Sequence, residues 1–179
     1  MRYERLNKRI DELHKLYDET NNVVYAMEDY CICNFFECEG TRKYETILNF
    51  AKENNFKRVF DVGCAFGHQS EVFLNSNIKY IGINDTDFDF WNKDKFEYIV
   101  GKYPFEIKAN EEDLVVSVLC LTWGCYLYEN EKTLREQCEQ LQRDFKHCLL
   151  YMAKEKIDFV KKYYKNYQIL DNNFVYFYN

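Results

Sequence analysis

The chain has 179 residues, with 30 acidic against 24 basic side chains, a formal charge of −6 and a single proline. A chain of this length supports one core, burying about 70% of its unfolded surface without disulfide staples. The acidic balance, with no clustered basic stripe, argues against tight sequence-independent binding to nucleic acid, and no apolar run approaches the roughly 20 residues that cross a bilayer.

The first residues lead into charge rather than into the apolar core of a signal peptide, so a cytoplasmic location is expected, with the eight cysteines as reduced thiols. In residues 3–18, Leu6, Ile10, Leu13 and Tyr17 recur at spacings of four, three and four, the stripe of an amphipathic helix. Residues 21–40 lack a clean period and read as a loop or short helices. A second helix begins near Thr41, places Tyr44, Ile47, Leu48 and Ala51 on one face, and stops at Asn54-Asn55. The period then changes. Arg58-Val59-Phe60-Asp61-Val62 is a short strand entering a glycine-bearing turn, and residues 69–74 read as helix. Lys79-Tyr80-Ile81-Gly82-Ile83 is a second strand, residues 85–95 hold a short helix, and a third strand lies within residues 96–107. Residues 113–121 form a nearly continuous apolar run, as in a strand covered on both faces. A helix over residues 131–146, a strand over 148–152, a helix over 153–164 and a hairpin around Asp171-Asn172-Asn173 complete the chain. This alternation predicts a three-layer α-β-α sandwich with a mostly parallel seven-stranded sheet and a C-terminal antiparallel hairpin.

The informative segment is Asp61-Val62-Gly63-Cys64-Ala65-Phe66-Gly67-His68, which sets two glycines and an alanine between a strand and a helix. Such a loop lets a ligand touch backbone at the carboxyl end of a strand, where open α/β sheets bind ligands. A dinucleotide fingerprint needs G-x-G-x-x-G, and counting from Gly63 its positions hold Gly63, Ala65 and His68, which disfavours a dehydrogenase-like nucleotide binder. The register present, acid-x-Gly-x-Ala-x-Gly, resembles motif I of the class I S-adenosylmethionine-dependent methyltransferases. Tyr80-Ile81-Gly82-Ile83-Asn84-Asp85 is similar to that family's second strand, which ends in an acid on the cofactor ribose; here Asn84 takes the acidic position and Asp85 follows it. Residues 113–123 are similar to its fourth strand and the segment after it.

The resemblance implies S-adenosylmethionine as cofactor, held by Asp61, Gly63, Cys64, Ala65, Gly67, Asn84 or Asp85, and Ser117. It implies in-line methyl transfer to a small-molecule or protein acceptor, with a non-catalytic cofactor-binding or interaction module as the alternative. Residues 41–179 would form the methyltransferase domain and residues 1–40 a helical cap over the acceptor. Tyr30, Trp123 and Tyr126 are candidates for the substrate pocket, since aromatic faces attract a sulfonium cation. No catalytic base is identifiable. The family's members that methylate base amines or glutamine amides carry an Asn/Asp-Pro-Pro-Tyr/Phe motif after the fourth strand, and Ser117-Val118-Leu119-Cys120 does not match it; a carbon-5 cytosine nucleophile needs Pro-Cys, and Pro104 precedes Phe105. His68 reads as an exposed capping residue and His14 and His147 as surface residues. Cys31, Cys33 and Cys38 fall short of a closed zinc site, so no metal is expected. Oligomeric state is left open.

Overall fold

The computed structural model describes residues 3–37, 39–102, 106–118, 120, 131–170 and 173–179. Three helices come first: α1 (Glu4–Thr20), α2 (Val23–Glu37) and α3 (Gly40–Glu53). Leu6 and Leu13 of the predicted α1 stripe are wholly buried, while Tyr17 at its end is 37% exposed. Asn21, in the left-handed region at φ 54°, ends α1, and the Asn22 side chain then accepts the Val24 N–H at 3.1 Å to start α2. The second element departs from expectation, since residues 23–37 are one continuous helix rather than a loop or short helices. Its period is hidden in the sequence because it is apolar both where Ile32 and Phe35 are buried and where Val23, Met27 and Tyr30 are exposed.

The sheet has seven strands in the order β3-β2-β1-β4-β5-β7-β6, formed by β1 (Arg58–Val62), β2 (Lys79–Asn84), β3 (Glu97–Val100), β4 (Asp113–Val118), β5 (His147–Tyr151), β6 (Asn166–Ile169) and β7 (Phe174–Tyr178). The first five run parallel and β7 is antiparallel to both neighbours. Order reverses at β1, whose Asp61 lies opposite Gly82 on one side and Val116 on the other. Both faces of β1, β2, β4, β5 and β7 are buried, as the continuous apolar runs require. Val59, Tyr80, Leu114, Val116 and Leu149 face a core shared with α1, α2 and α3, while Phe60, Ile81, Val115 and Leu150 face a second core. Helix α4 (Glu131–Asp144) covers that second face with Cys138 and Leu141.

Two further expectations are corrected. Residues 85–95 form turns instead of a helix, because the segment is pinned residue by residue: Trp91 N–H reaches Phe66 O at 2.8 Å, and Asn92 stands at φ 56° with its amide on Ser70 and Glu71. Residues 153–164 give only a 3-10 turn, Lys154–Lys156, and the single turn α5 (Ile157–Val160), ended by i→i+3 bonds such as Tyr163 N–H to Val160 O at 3.0 Å. Among the described residues, no helix is long and apolar enough to cross a membrane.

Candidate functional site

The loop after β1 alternates into left-handed backbone at Gly63 (φ 87°), Ala65 (φ 47°) and Gly67 (φ 77°). Its first two N–H groups, of Gly63 and Cys64, both donate to Ile83 O, at 2.8 and 3.1 Å, which seats the loop on the end of β2. Gly67 N–H returns to Cys64 O at 2.8 Å and closes the turn, and a 3-10 helix, His68–Phe73, follows. The glycines make room for the chain's own side chains. A Cβ on Gly63 would overlap the Cys120 side chain, and one on Gly67 would stand 2.5 Å from the Tyr98 hydroxyl. Tyr98 also lies over Gly82 and stacks on Phe90, with ring centroids 4.4 Å apart.

Asp61 sits beneath this loop with no exposed surface. It shares the inward parity of Val59, so its carboxylate collects donors from three elements: Tyr80 Oη at 2.7 Å, Gln69 Nε2 at 2.7 Å, and Tyr44 Oη shared between both oxygens at 3.0 and 3.2 Å. Burial raises the Asp61 carboxyl above its ordinary value against the pull of those bonds, and burial likewise holds Tyr44 and Tyr80 well above theirs. Gln69 also donates to Cys64 O at 2.9 Å, so the acid and the loop share one knot. Ser117 is buried and donates to Val62 O at 3.1 Å, and Cys64 is buried with its thiol pushed up by desolvation.

The remaining sequence candidates are nearer the surface. Gly63 and Ala65 are half-buried, Asn84 is half-buried with Nδ2 donating to Thr86 O at 2.9 Å, and Asp85 is exposed, accepting from Thr86 Oγ1 at 3.1 Å. Tyr30 is 69% exposed on α2. Trp123 and Tyr126 lie outside the described residues, as does Cys38. Among the described residues no cluster of metal-binding side chains occurs.

His68 is a correction: it is buried rather than exposed, because α2 lays Glu28 over it, Nε2 to Oε1 at 3.4 Å. Glu28, buried too, receives Arg9 of α1 through Nε and Nη2, each at 2.9 Å. Burial pushes the Glu28 carboxyl up, but His68 and Arg9 outweigh it and leave it lowered; burial lowers the His68 imidazole. At neutral pH the charges are therefore Arg9⁺ and Glu28⁻ beside a neutral imidazole. A parallel tie runs from Arg5 to Glu71 at 3.3 Å, with Trp91 Nε1 on the same oxygen at 2.7 Å. The N-terminal helices are thus bound to the element that follows the glycine loop through acids that no local motif marks.

No protein-family model matches the sequence, and no curated protein matches it. Solved structures do. The methyltransferase domain of bacterial CtHen1-CN is 11% identical over 78% of this chain and 99% of that one, with a TM-score of 0.58. A TehB-like SAM-dependent methyltransferase from Corynebacterium glutamicum is 12% identical over 75% of this chain and 85% of that one, at 0.54. The 16S rRNA methylase RmtB is 13% identical over 98% and 75%, at 0.51. The chain has the fold of the class I S-adenosylmethionine-dependent methyltransferases.

Proposed function

We propose that the chain binds S-adenosylmethionine at the carboxyl ends of β1, β2 and β4 and transfers its methyl group in line to a small-molecule or protein acceptor in the cytoplasm. The observation that carries this reading is the slim left-handed loop 63–67, which leaves β1 where the strand order reverses and is tied to the end of β2, the place at which open α/β sheets take nucleotides. The residues present fit the cofactor. Half-buried Ala65 offers backbone beside Gly63, whose N–H is held by Ile83 O and whose Cα faces Cys120, and Asn84 and Asp85 supply an amide and a carboxylate for the ribose hydroxyls. Asp61, Cys64, Gly67 and Ser117 form the layer below and hold the loop in shape, so they act as positioning residues. When bound, the cofactor supplies an activated methyl group on a sulfonium. The chain's contribution is to hold the acceptor in line in a dry pocket, worth up to roughly 7 to 11 kcal/mol. Residues 1–40 act as a cap on the domain of residues 41–179, with Tyr30 of α2 as a contact to the acceptor. The net charge of −6 sets the chain against a phosphate backbone as acceptor, although one structure of the same fold is an rRNA methylase.

A second reading, a cofactor-binding module without turnover, is favoured by Asn84, which spends an amide hydrogen on Thr86 O where the resemblance expects an acid. Incubation of the full chain with methyl-labelled S-adenosylmethionine and fractionated extract separates the two. Labelled acceptor together with S-adenosylhomocysteine supports transfer; cofactor binding without product in every fraction supports the module.

A further inference from the structure

The last strand of the sheet, β6, is exposed at each of its four residues, Asn166, Tyr167, Gln168 and Ile169. We propose that a second copy of this chain pairs with it, antiparallel about a two-fold axis at Gln168, so that one sheet continues through both copies.

The backbone sets the register. Leu170 N–H bonds to Phe174 O at 2.8 Å, and Gln168 lies opposite Tyr176, so the even-numbered residues spend their N–H and C=O groups on β7. In an antiparallel ladder the alternate residues then point theirs away, which leaves those of Tyr167 and Ile169 on the outer edge. Such an edge is a template for another strand, and proteins guard it with lysine, proline or a bulge. Asn166-Tyr167-Gln168-Ile169 carries no charge and no proline.

The same two residues identify the occupant. Setting Tyr167 opposite Ile169 of a second copy, and Ile169 opposite its Tyr167, satisfies every outward group of both strands with four N–H···O bonds. It also sets the exposed side chains, Tyr167 at 45% and Ile169 at 61%, against each other in two aromatic to β-branched pairs. The flanks agree with this register. On the Ile169 side a groove of about 460 Å³ is lined by Met152, Ile157 and Val175 with Lys154, and it receives the incoming tyrosine. On the other side a groove of about 500 Å³ is lined by Thr46, Asn49, Glu53 and Gln168 together with Phe50 and Leu170, and it receives the incoming Gln168 on its polar part and the incoming Asn166 opposite Leu170. The incoming tyrosine meets apolar side chains and the incoming Gln168 meets its own copy on the axis, as in a self-complementary two-fold interface.

Sedimentation velocity of the full chain across micromolar concentrations tests this. The expected species has twice the 21.9 kDa chain mass. Ile169→Lys, which brings a cation into both grooves, is expected to sediment as a monomer with unchanged circular dichroism, whereas Val23→Lys, at a 65% exposed site on α2, is expected to remain a dimer. Gln168→Cys places two thiols across the axis with Cβ atoms about 4.5 to 5.5 Å apart, so mild oxidation should link the copies covalently where identically treated wild type is not linked. A wild-type monomer at every concentration overturns the proposal. So does a dimer that survives Ile169→Lys, or one that Val23→Lys dissociates.

Discussion

Replacing Asp61 with alanine tests the knot under the glycine loop. The carboxylate has no exposed surface and takes donors from Tyr44, Gln69 and Tyr80 at 2.7 to 3.2 Å. Alanine removes the acceptor and leaves three buried donors, each costing about 1 to 3 kcal/mol when unpaired, a span of about 3 to 9 kcal/mol. One effect works against that loss. Burial holds the Asp61 carboxyl above its ordinary value, so its stabilisation is complete only below that value and is diminished as pH rises through the folded one. At neutral pH the alanine variant escapes that penalty, which places the expected loss at the low end, about 3 to 5 kcal/mol. With a urea slope of about 2 kcal/mol per molar the midpoint should fall by roughly 1.5 to 2.5 M. Asparagine keeps the volume and one acceptor and can donate to a tyrosine hydroxyl, so Asp61→Asn should lose about 1 to 2 kcal/mol. Urea denaturation followed by circular dichroism reads both. An alanine variant as stable as wild type, or more stable than the asparagine variant, would refute the reasoning.

Arg9→Ala leaves the buried Glu28 without its bidentate partner, and thermal denaturation should show a loss of about 3 kcal/mol, partly restored by Arg9→Lys, while Arg42→Ala at the exposed pair with Glu39 changes little. Gly63→Ala adds about 1 to 2 kcal/mol of backbone strain at φ 87° and drives a methyl into Cys120, so the loop shifts and S-adenosylhomocysteine affinity measured by calorimetry should drop; normal affinity would separate the loop from the ligand. Stability should fall in alkali, because burial raises Tyr44, Tyr80 and Cys148, with Tyr176 and Cys138 pushed up to about 12. Their contribution is complete below the unfolded values of 9.0 for cysteine and 10.0 for tyrosine and is lost as pH rises through the folded ones, which urea midpoints at rising pH measure.

The strands were legible because their residues answer to local physics: β-branched and aromatic runs bounded by turn formers gave β1, β2, β4, β5 and the closing hairpin. The loop conformation was legible too, since Gly63 and Gly67 occupy left-handed backbone that other residues rarely enter. What failed depends on distant partners. His68 looks exposed among its polar neighbours, and only the arrival of Glu28, forty residues earlier, buries it. Asp61 reads as an acid at a strand end with oxygens to offer, yet its parity with Val59 turns it inward, a signal the alternation carried. Helix α2 escaped because its exposed face is as apolar as its buried one. Tyr98, which lies over Gly67 and Gly82, carries no motif at all; its place follows from the β2 to β3 register, Gly82 opposite Tyr98.

Calorimetric titration of the full chain with S-adenosylmethionine and S-adenosylhomocysteine, with NAD as control, tests the central claim most directly. The account predicts micromolar binding of both sulfur ligands, none of NAD, and tighter binding when Asn84→Asp restores a charge-assisted bond to the ribose. Binding of NAD alone, or of none of the three, would contradict it.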